Sequence, residues 1–411
     1  MKLSKKVGVL VAAATFAFVA CSGTGGGGGG DKGTIEIWSS LPRQGSNKAQ
    51  TDTIALAINL AIEEAGGKVG GYTIKYQDKD DSTAATGKWD EATEIKNAND
   101  AVANDAVMAY IGTFNSGAAK LSIPILCAKG IVMVSPANTY PGLTKAGKGD
   151  TGEPDKYYPN GCTRNYTRVV PADDLQGRAG AVWAGKLGLK NVYVLDDTEL
   201  YGKGIADVFA KEAPGAGLTV LGRDGIDGKA TDYKALAEKV KATNPDLVYF
   251  GGITQNNAGQ LFRDLRDAMP DVKLMGPDGI FESEFLQAAG DAAEGAYITF
   301  GGVPPDQLTG AGAEFIKKFT EKYPSNPAEA YTAYGYEAAK VILAAIDRAA
   351  KTNPADMKAL RTAILKEVFA TKDYAGVLGT WSFNAEGDTS LTDMSGQIVT
   401  GGEFKFSEVI K

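Results

Sequence analysis

Four polar loops in this sequence carry side chains that could hold a small molecule without reacting with it. Each loop follows a run of residues typical of a strand. Hydroxyl and backbone N–H groups can donate hydrogen bonds to a ligand carboxylate, whereas a carboxylate such as Asp278 can accept them from an ammonium group. The loops are 39–46, 112–117, 135–144 and 275–279. Their chemistry indicates recognition of a small polar ligand.

The loop 112–117 runs from a predicted strand directly into a predicted helix. Such a helix start presents free backbone N–H groups and the positive end of the helix dipole, which suit a carboxylate. Asn115 or Ser116 could equally act as an ordinary helix cap. Asn138 and Asp278 carry the same ambiguity, because Asn and Asp often bond the backbone of their own turn. No single loop therefore identifies a ligand.

Histidine is absent from all 411 residues, which removes much enzyme chemistry. A Ser-His-Asp or Cys-His relay cannot be built, nor can a zinc or iron site with histidine ligands. Catalysis by carboxylate, lysine or tyrosine remains open. Asp78, Asp80 and Asp81 lack the EF-hand spacing, and no Walker A or GxGxxG pattern occurs. We expect no enzyme, no metal and no cofactor, and the net charge of −7 argues against a nucleic-acid partner.

The N-terminus is typical of an exported protein. Lys2, Lys5 and Lys6 precede the apolar run 7–19, so residues 1–20 are predicted to be a signal peptide. Cys21 follows small residues and resembles the lipidated cysteine of a bacterial lipobox, although it could be incidental. The glycine-rich residues 21–32 would then form a flexible tether. We expect a lipoprotein anchored to a membrane of the cell envelope, on its periplasmic or extracellular face.

Two further cysteines, Cys127 and Cys162, remain in the body of the chain. Outside the cytoplasm two such thiols can form a disulfide. Sequence alone does not give the distance between them, so both a disulfide and two free thiols stay open.

The elements that must position the four loops alternate between strand and helix from residue 33 onward. Ile54, Ala57, Ile58, Ala61 and Ile62 have the spacing of one helix face. The alternation predicts parallel sheets covered by helices on both faces. After Pro304 the pattern is mainly helical. It ends in two β-segments, 377–383 and 397–406.

The length suits two α/β lobes, each with a doubly wound parallel sheet. We assign 33–167 plus 302–377 to lobe 1 and 168–301 plus 378–411 to lobe 2. Three crossings would form the hinge, near 168–173, 300–304 and 376–380. Facing lobes create a cleft beyond the carboxyl ends of the strands, where open sheets bind ligands. The loose stretch 145–162 is predicted to be a long surface loop.

Taken together, five motifs resemble the type I periplasmic binding proteins, in particular their leucine/isoleucine/valine-binding branch. The resemblance covers nearly the whole chain from Thr34 onward. Each motif alone is weak, but their order is specific for the family. The motifs are IGTFNSG at 111–117, SPANTYPGLT at 135–144, YGKG at 201–204, YFGG at 249–252 and MGPDG at 275–279.

The resemblance implies a role for several residues of this sequence. It implies that Ser116, Ala137 and Thr139 bind a ligand carboxylate, and that Asp278 binds its ammonium group. It also places Asn115 at the first of these sites and both Tyr201 and Tyr331 in the side-chain pocket. Two positions depart from the family pattern: Ile253, where an aromatic residue is expected, and Arg43-Gln44 in the first loop. A cation near the cleft could favour a ligand with an extra carboxylate.

The resemblance further implies a Venus-flytrap receptor for an ABC importer, working as a monomer with a membrane permease. An amino acid is the expected ligand, with a branched-chain amino acid favoured. A small amide, a urea-like compound or an aromatic acid remains the alternative, as does a sensory receptor. An enzyme would need a nucleophile and a base together in the cleft.

Overall fold

A computed structural model describes residues 31–411. The predicted signal peptide, the predicted lipidation site Cys21 and nearly all of the predicted tether lie outside these residues. Within residues 31–411, none of the helices is long and apolar enough to cross a bilayer.

The first sheet has six strands in the order β2-β3-β1-β4-β5-β6. All neighbours are parallel except the short edge strand β2, which is antiparallel to β3. Strands β4 and β5 are buried along their whole length, as expected for a parallel sheet covered on both faces. The strands are β1 Thr34–Leu41, β2 Lys68–Val69, β3 Tyr72–Asp80, β4 Val107–Gly112, β5 Val132–Ser135 and β6 Tyr166–Arg168.

The second sheet contains five parallel strands and two antiparallel ones at one edge. The parallel strands are β7 Asn191–Asp196, β8 Thr219–Gly225, β9 Leu247–Gly251, β10 Lys273–Gly276 and β11 Tyr297–Gly301. Near the C-terminus follow a hairpin, β12 Tyr374–Gly376 and β13 Gly379–Trp381, and the edge strands β14 Met394–Thr400 and β15 Glu403–Ile410. The order across the second sheet is β15-β14-β11-β10-β9-β7-β8.

Eleven α-helices connect and cover these sheets within residues 31–411. They are α1 Lys48–Glu64, α2 Glu91–Ala103, α3 Ser116–Cys127, α4 Asp173–Lys186, α5 Leu200–Glu212, α6 Lys234–Lys241, α7 Ala258–Ala268, α8 Ser283–Ala289, α9 Ala311–Lys322, α10 Thr332–Ala350 and α11 Met357–Phe369. Side-chain caps stabilise the first turns of α2 and α11. Asp90 accepts a hydrogen bond from the Thr93 amide at 2.9 Å, and Asp356 accepts one from the Ala359 amide at 2.8 Å.

The predicted α/β class with two parallel-sheet lobes is confirmed. The predicted alternation of strand and helix from residue 33 onward is also present in the structure. The last predicted segment, 397–406, is instead two strands. Gly401 and Gly402 have φ values of 63° and 75° and form the turn between β14 and β15. Positive φ angles favour glycine, so the Gly401-Gly402 pair in the sequence indicates a hairpin turn.

The chain crosses between the two sheets three times: after β6, after β11 and between β13 and β14. The third crossing comes later in the chain than the expected 376–380. That stretch is the β12–β13 hairpin. The Val377 amide and the Trp381 indole N–H both donate to the Glu337 carboxylate of α10, at 3.0 and 2.6 Å. These bonds hold the hairpin on the helices of the first sheet.

A disulfide joins Cys127 and Cys162, whose Cα atoms lie 5.9 Å apart. It attaches the end of the loop 145–162 to the last residue of α3. The loop contains two short 3-10 turns, and Tyr157 is buried within it.

Candidate functional site

A small cavity lies where the carboxyl ends of the two sheets face each other. Its volume is about 20 Å³. Larger hollows lie on the outer surface, such as one of about 640 Å³ near Gly188, at the opposite ends of the strands. We take the small cavity as the candidate site because every predicted loop but the first reaches it. Its lining residues are Phe114, Asn115, Ser116, Ala137, Tyr201, Ile253, Asp278, Gly279 and Tyr331.

The first wall is the start of α3. Asn115 precedes the helix in an extended conformation, and its side chain makes no capping hydrogen bond. The Asn115 carbonyl accepts from the amides of Ala118 and Ala119, each at 3.1 Å. The amides of Ser116 and Gly117 precede these, so the helix offers them no carbonyl of its own. This wall can therefore receive an anionic group.

The loop 135–144 forms the neighbouring wall, and the hinge holds it from behind. The carbonyls of Asn138 and Tyr140 accept from the Arg168 guanidinium at 3.3 and 2.8 Å. The Thr139 carbonyl accepts from the Asp173 amide at 2.8 Å. Three consecutive carbonyls thus bond to the first crossing, which fixes the loop relative to the cleft.

Asp278 stands on the opposite side of the cavity, after β10, with only 4% of its surface exposed. Its Oδ1 atom accepts from the Gln176 amide and the Tyr201 hydroxyl, both at 2.7 Å, and its Oδ2 atom accepts from the Tyr331 hydroxyl at 2.5 Å. Burial raises the pKa of Asp278, and these hydrogen bonds oppose the rise. A cationic ligand group would favour its charged form.

Asp173 supplies a second buried carboxyl group beside Asp278. It lies in the first turn of α4, is 0% exposed, and neither of its oxygens has a hydrogen-bond partner within residues 31–411. Burial, followed by the nearby charge of Asp278, raises the pKa of Asp173 well above its usual value. The buried Thr139 hydroxyl likewise has no partner among the described residues. Burial favours the protonated form of Asp173, and a cation bound nearby would favour its ionised form.

Apolar and aromatic groups complete the cavity. Ile253 is 4% exposed, and its amide donates to Asp197 at 3.1 Å. The Tyr331 ring meets the Phe114 ring edge to face, with centroids 5.8 Å apart. Lysine and arginine are absent from the nine lining residues.

Comparison with known proteins identifies the family. A family model described as periplasmic binding protein matches residues 34–402. The Leu/Ile/Val-binding protein homolog 2 of Brucella abortus is 30% identical, over 92% of this chain and 91% of that protein. The chain is a type I periplasmic binding protein of the Leu/Ile/Val-binding family. The resemblance predicted from the five motifs is confirmed.

Other known proteins resemble the chain in sequence or in fold. The Leu/Ile/Val-binding protein BraC3 of Rhizobium johnstonii is 29% identical over 88% of this chain and 90% of that protein. The leucine-binding protein LivK of Thermotoga maritima superposes with a TM-score of 0.78 at 26% identity, covering 92% of this chain and 99% of that one. A Rhodopseudomonas palustris solute-binding protein in complex with benzoate shares the fold at 20% identity, with a TM-score of 0.74 and 92% and 96% coverage.

These comparisons show that the chain is a solute-binding protein for small ligands. The proteins named after their ligands in this family are binding proteins rather than enzymes. Membership also implies an exported protein.

Seven of the nine ligand-binding residues expected from the sequence line the cavity of this binding protein. They are Asn115, Ser116, Ala137, Tyr201, Ile253, Asp278 and Tyr331. The eighth, Thr139, is buried behind the lining and is 1% exposed. Gln44 does not reach the cavity, since its side-chain amide donates to Asp80 at 2.7 Å.

Arg43, which could have placed a cation near the cleft, does not do so. Its guanidinium forms ion pairs with Asp52 at 2.8 Å and Asp78 at 3.1 Å. Because two carboxylates balance its charge, Arg43 gives no reason to expect a ligand with an extra carboxylate.

Two polar residues beside the cavity were not expected from the sequence, Asp173 and Gln176. Both lie on α4, directly after the first crossing, so only the folded hinge brings them near Asp278. The sequence did indicate their position indirectly, because a predicted crossing at 168–173 implies that the next helix begins at the cleft.

Proposed function

We propose that this chain captures a free amino acid between its lobes, a branched-chain amino acid being favoured, and delivers it to the permease of an ABC importer. We also propose that it acts as a monomer, anchored to a membrane through a lipid on Cys21. One observation carries the ligand proposal: the buried carboxyl groups of Asp278 and Asp173 and the free helix start of α3 lie on opposite sides of the small cavity. A zwitterionic ligand has an ammonium group for the first side and a carboxylate for the second.

The ammonium group would bind at the acidic end. An ammonium group has three N–H donors. Asp278 in the cavity lining would accept one of them, and we propose that the buried Asp173 and Thr139 hydroxyl, which lie outside the lining, accept the other two. Both carboxyls are buried, and their pKa values are raised by burial. A bound cation offsets that penalty, so ligand binding and ionisation of the two carboxyls support each other.

The carboxylate group would bind at the opposite end. The amides at the start of α3 and the Ser116 hydroxyl face it, whereas the Ala137 amide already donates to the Ser135 hydroxyl at 3.2 Å. Each charge-assisted hydrogen bond contributes about 1.5–3 kcal/mol. Three such bonds with a buried aliphatic group can give a dissociation constant in the micromolar range, about −8 kcal/mol.

The side chain of the ligand would meet Phe114, Ile253 and Tyr331. These apolar walls favour an uncharged aliphatic group, and the absence of lysine and arginine from the lining disfavours an acidic one. The names of the relatives support the same class of ligand.

Contacts between the lobes support a hinged trap. Lys88 beside the first sheet donates to Glu199 and Asn256 beside the second, at 2.7 and 2.8 Å. Asn47 donates to Glu282 across the cleft at 2.9 Å. The cavity of about 20 Å³ in this arrangement is smaller than an amino acid, so a ligand would hold the lobes slightly farther apart than here. Its contacts with both lobes would stabilise that liganded form by its differential affinity.

A thermal-shift screen tests the proposal. The protein is unfolded and refolded to remove carried ligand, and then screened against the common amino acids, small amides, urea and benzoate. We expect stabilisation by leucine, isoleucine or valine, and none by any of them in Asp278→Ala. A shift with benzoate or an amide, without one from any amino acid, would overturn the amino-acid assignment and favour the alternative ligands.

The lipid anchor has a separate test. Cells expressing the chain are fed a radiolabelled fatty acid, and the purified protein is examined for label. We expect label in the wild type and none in Cys21→Ser. Label absent from both would overturn the proposed anchor while leaving the ligand proposal intact.

A further inference from the structure

The loop 145–162 is attached at both of its ends. At its start Lys145 forms an ion pair with Asp174 of α4 at 2.7 Å. At its end the disulfide joins Cys162 to Cys127 of α3. Because α4 covers the second sheet and α3 the first, the loop is tied to both lobes.

Glu153 organises the interior of this loop. Only 5% of its surface is exposed. Its carboxylate accepts from the Tyr140 hydroxyl and from the Asp150 amide, both at 2.8 Å, and also from the Tyr157 hydroxyl. Lys156 lies 2.8 Å away and balances its charge. The loop thus holds the outer end of the Tyr140 side chain.

The packing around this carboxylate is close. A Cβ atom at Gly142 or at Gly149 would lie 2.2 Å from Oε2 of Glu153. Real Cβ atoms do not approach so near, so both positions need glycine. This close packing restricts the position of the Tyr140 ring.

Tyr140 connects the ligand loops with the second lobe. Its amide donates to the Ser116 hydroxyl at 3.4 Å, and its carbonyl accepts from Arg168. Its ring lies against Gly204 of α5, where a Cβ atom would be 2.6 Å from Cδ2 of Tyr140. Helix α5 carries Tyr201 one turn earlier. The Tyr140 ring therefore forms part of the contact between the lobes, beside the cavity but outside its lining.

We infer that the loop 145–162 is a strap that presses the Tyr140 ring against α5 and so raises ligand affinity, with Glu153 and Gly204 as positioning residues. The inference rests on the proposed function, since affinity for an amino acid is the property affected. The disulfide holds the C-terminal end of the strap in place against α3.

The test compares Gly204→Ala with the control Gly215→Ala in the full-length chain. No atom lies within 4 Å of a Cβ at Gly215, so that variant should behave as the wild type. L-Leucine is titrated by calorimetry after refolding. We expect binding by Gly204→Ala to be about tenfold weaker, since the added methyl displaces the Tyr140 ring, and a cooperative melting transition in the absence of leucine shows that the variant folds. Equal affinity in both variants would overturn the strap.

Two milder variants probe the other end of the strap. Tyr140→Phe keeps the ring and removes its bond to Glu153, and Glu153→Gln removes the charge. We expect each to weaken leucine binding by about fivefold, the worth of one hydrogen bond. Their combination should weaken it no further than either alone, because both act through one contact. Additive losses would contradict positioning through Tyr140.

A measurement without ligand separates this inference from the proposed function. Hydrogen exchange is followed in segments 137–144 and 200–212 of the full-length chain. We expect faster exchange in both segments for Gly204→Ala and no change for Gly215→Ala. If the wild type fails to bind leucine, the proposed ligand is wrong, yet this exchange pattern still decides whether the strap joins the lobes.

Discussion

At the scale of single residues, the site is defined by carboxyl groups kept in an unfavourable environment. Asp278 is held by three neutral donors, which stabilise its charge only in part, and Asp173 has no donor on either oxygen within residues 31–411. Burial raises the pKa of both. Raised folded-state pKa values mean that ionised carboxyls lower the stability of the ligand-free protein at neutral pH.

Replacing Asp278 with asparagine should separate binding from stability. We expect Asp278→Asn to weaken leucine binding by at least about 30-fold, because a paired charge is lost. Without ligand, the variant should have a higher free energy of unfolding than the wild type at pH 7, since a buried carboxyl group with a raised pKa is removed. Urea unfolding and calorimetry measure the two quantities. The exposed Asp291→Asn serves as the control, and a less stable Asp278→Asn would contradict the assigned environment.

The sequence reveals residues whose role follows from a local motif. Ser116, Ala137 and Asp278 each sit in a short loop after a strand, and neighbouring strand ends must converge at one edge of a parallel sheet. Asp173 carries no such local signal, because its position depends on where the hinge places α4. Gln44 also follows a strand end, but Asp80 lies close enough to hold its side chain away from the cavity.

At the scale of elements, the predicted alternation of strands and helices is confirmed in the two parallel sheets. Periodicity did not separate β14 from β15, because both are strands and only the Gly401-Gly402 turn divides them. It also could not place the third crossing. The β12–β13 hairpin stays with α10 through the buried Glu337, a contact between segments about 40 residues apart in sequence.

The loop between β3 and α2 reaches the second lobe through Lys88. Its ammonium group contacts Glu199 and Asn256, with 26% of the lysine side chain exposed. We expect Lys88→Ala to weaken leucine binding about fivefold, because a partly buried ion pair contributes roughly 1 kcal/mol. Lys203→Ala is the matched control, since its partner Asp207 lies on the same helix. Equal effects of the two variants in calorimetry would show that the Lys88 contact does not stabilise closure.

At the scale of the whole molecule, closing the lobes buries an acid that would meet water when they separate. Glu282 accepts from Asn47 and Gln50 of the other lobe and from Gln255 of its own. Burial, together with the neighbouring Glu284 and Glu329, raises the pKa of Glu282 to about 8. The closed form therefore binds a proton more tightly than the open form.

This difference makes ligand binding depend on pH through Glu282. A carboxyl whose pKa is raised in the closed form favours closure at low pH, and this contribution is lost as the pH rises toward 8. We expect the ratio of leucine affinity in the wild type to that in Glu282→Gln to fall between pH 5 and pH 8. Calorimetry at four pH values within that range checks this. The ratio cancels the titration of Asp278 and Asp173, and a constant ratio would contradict the proton linkage.

We propose that the cleft recognises both charged ends of an amino acid at once. A calorimetric comparison tests this with L-leucine, with 4-methylpentanoate, which lacks the ammonium group, and with 3-methylbutylamine, which lacks the carboxylate. We expect leucine to bind most tightly and each analogue to bind at least about 30-fold more weakly, because either loss leaves buried polar groups unpaired. Binding of 4-methylpentanoate as tight as that of leucine would contradict the role given to Asp278 and Asp173.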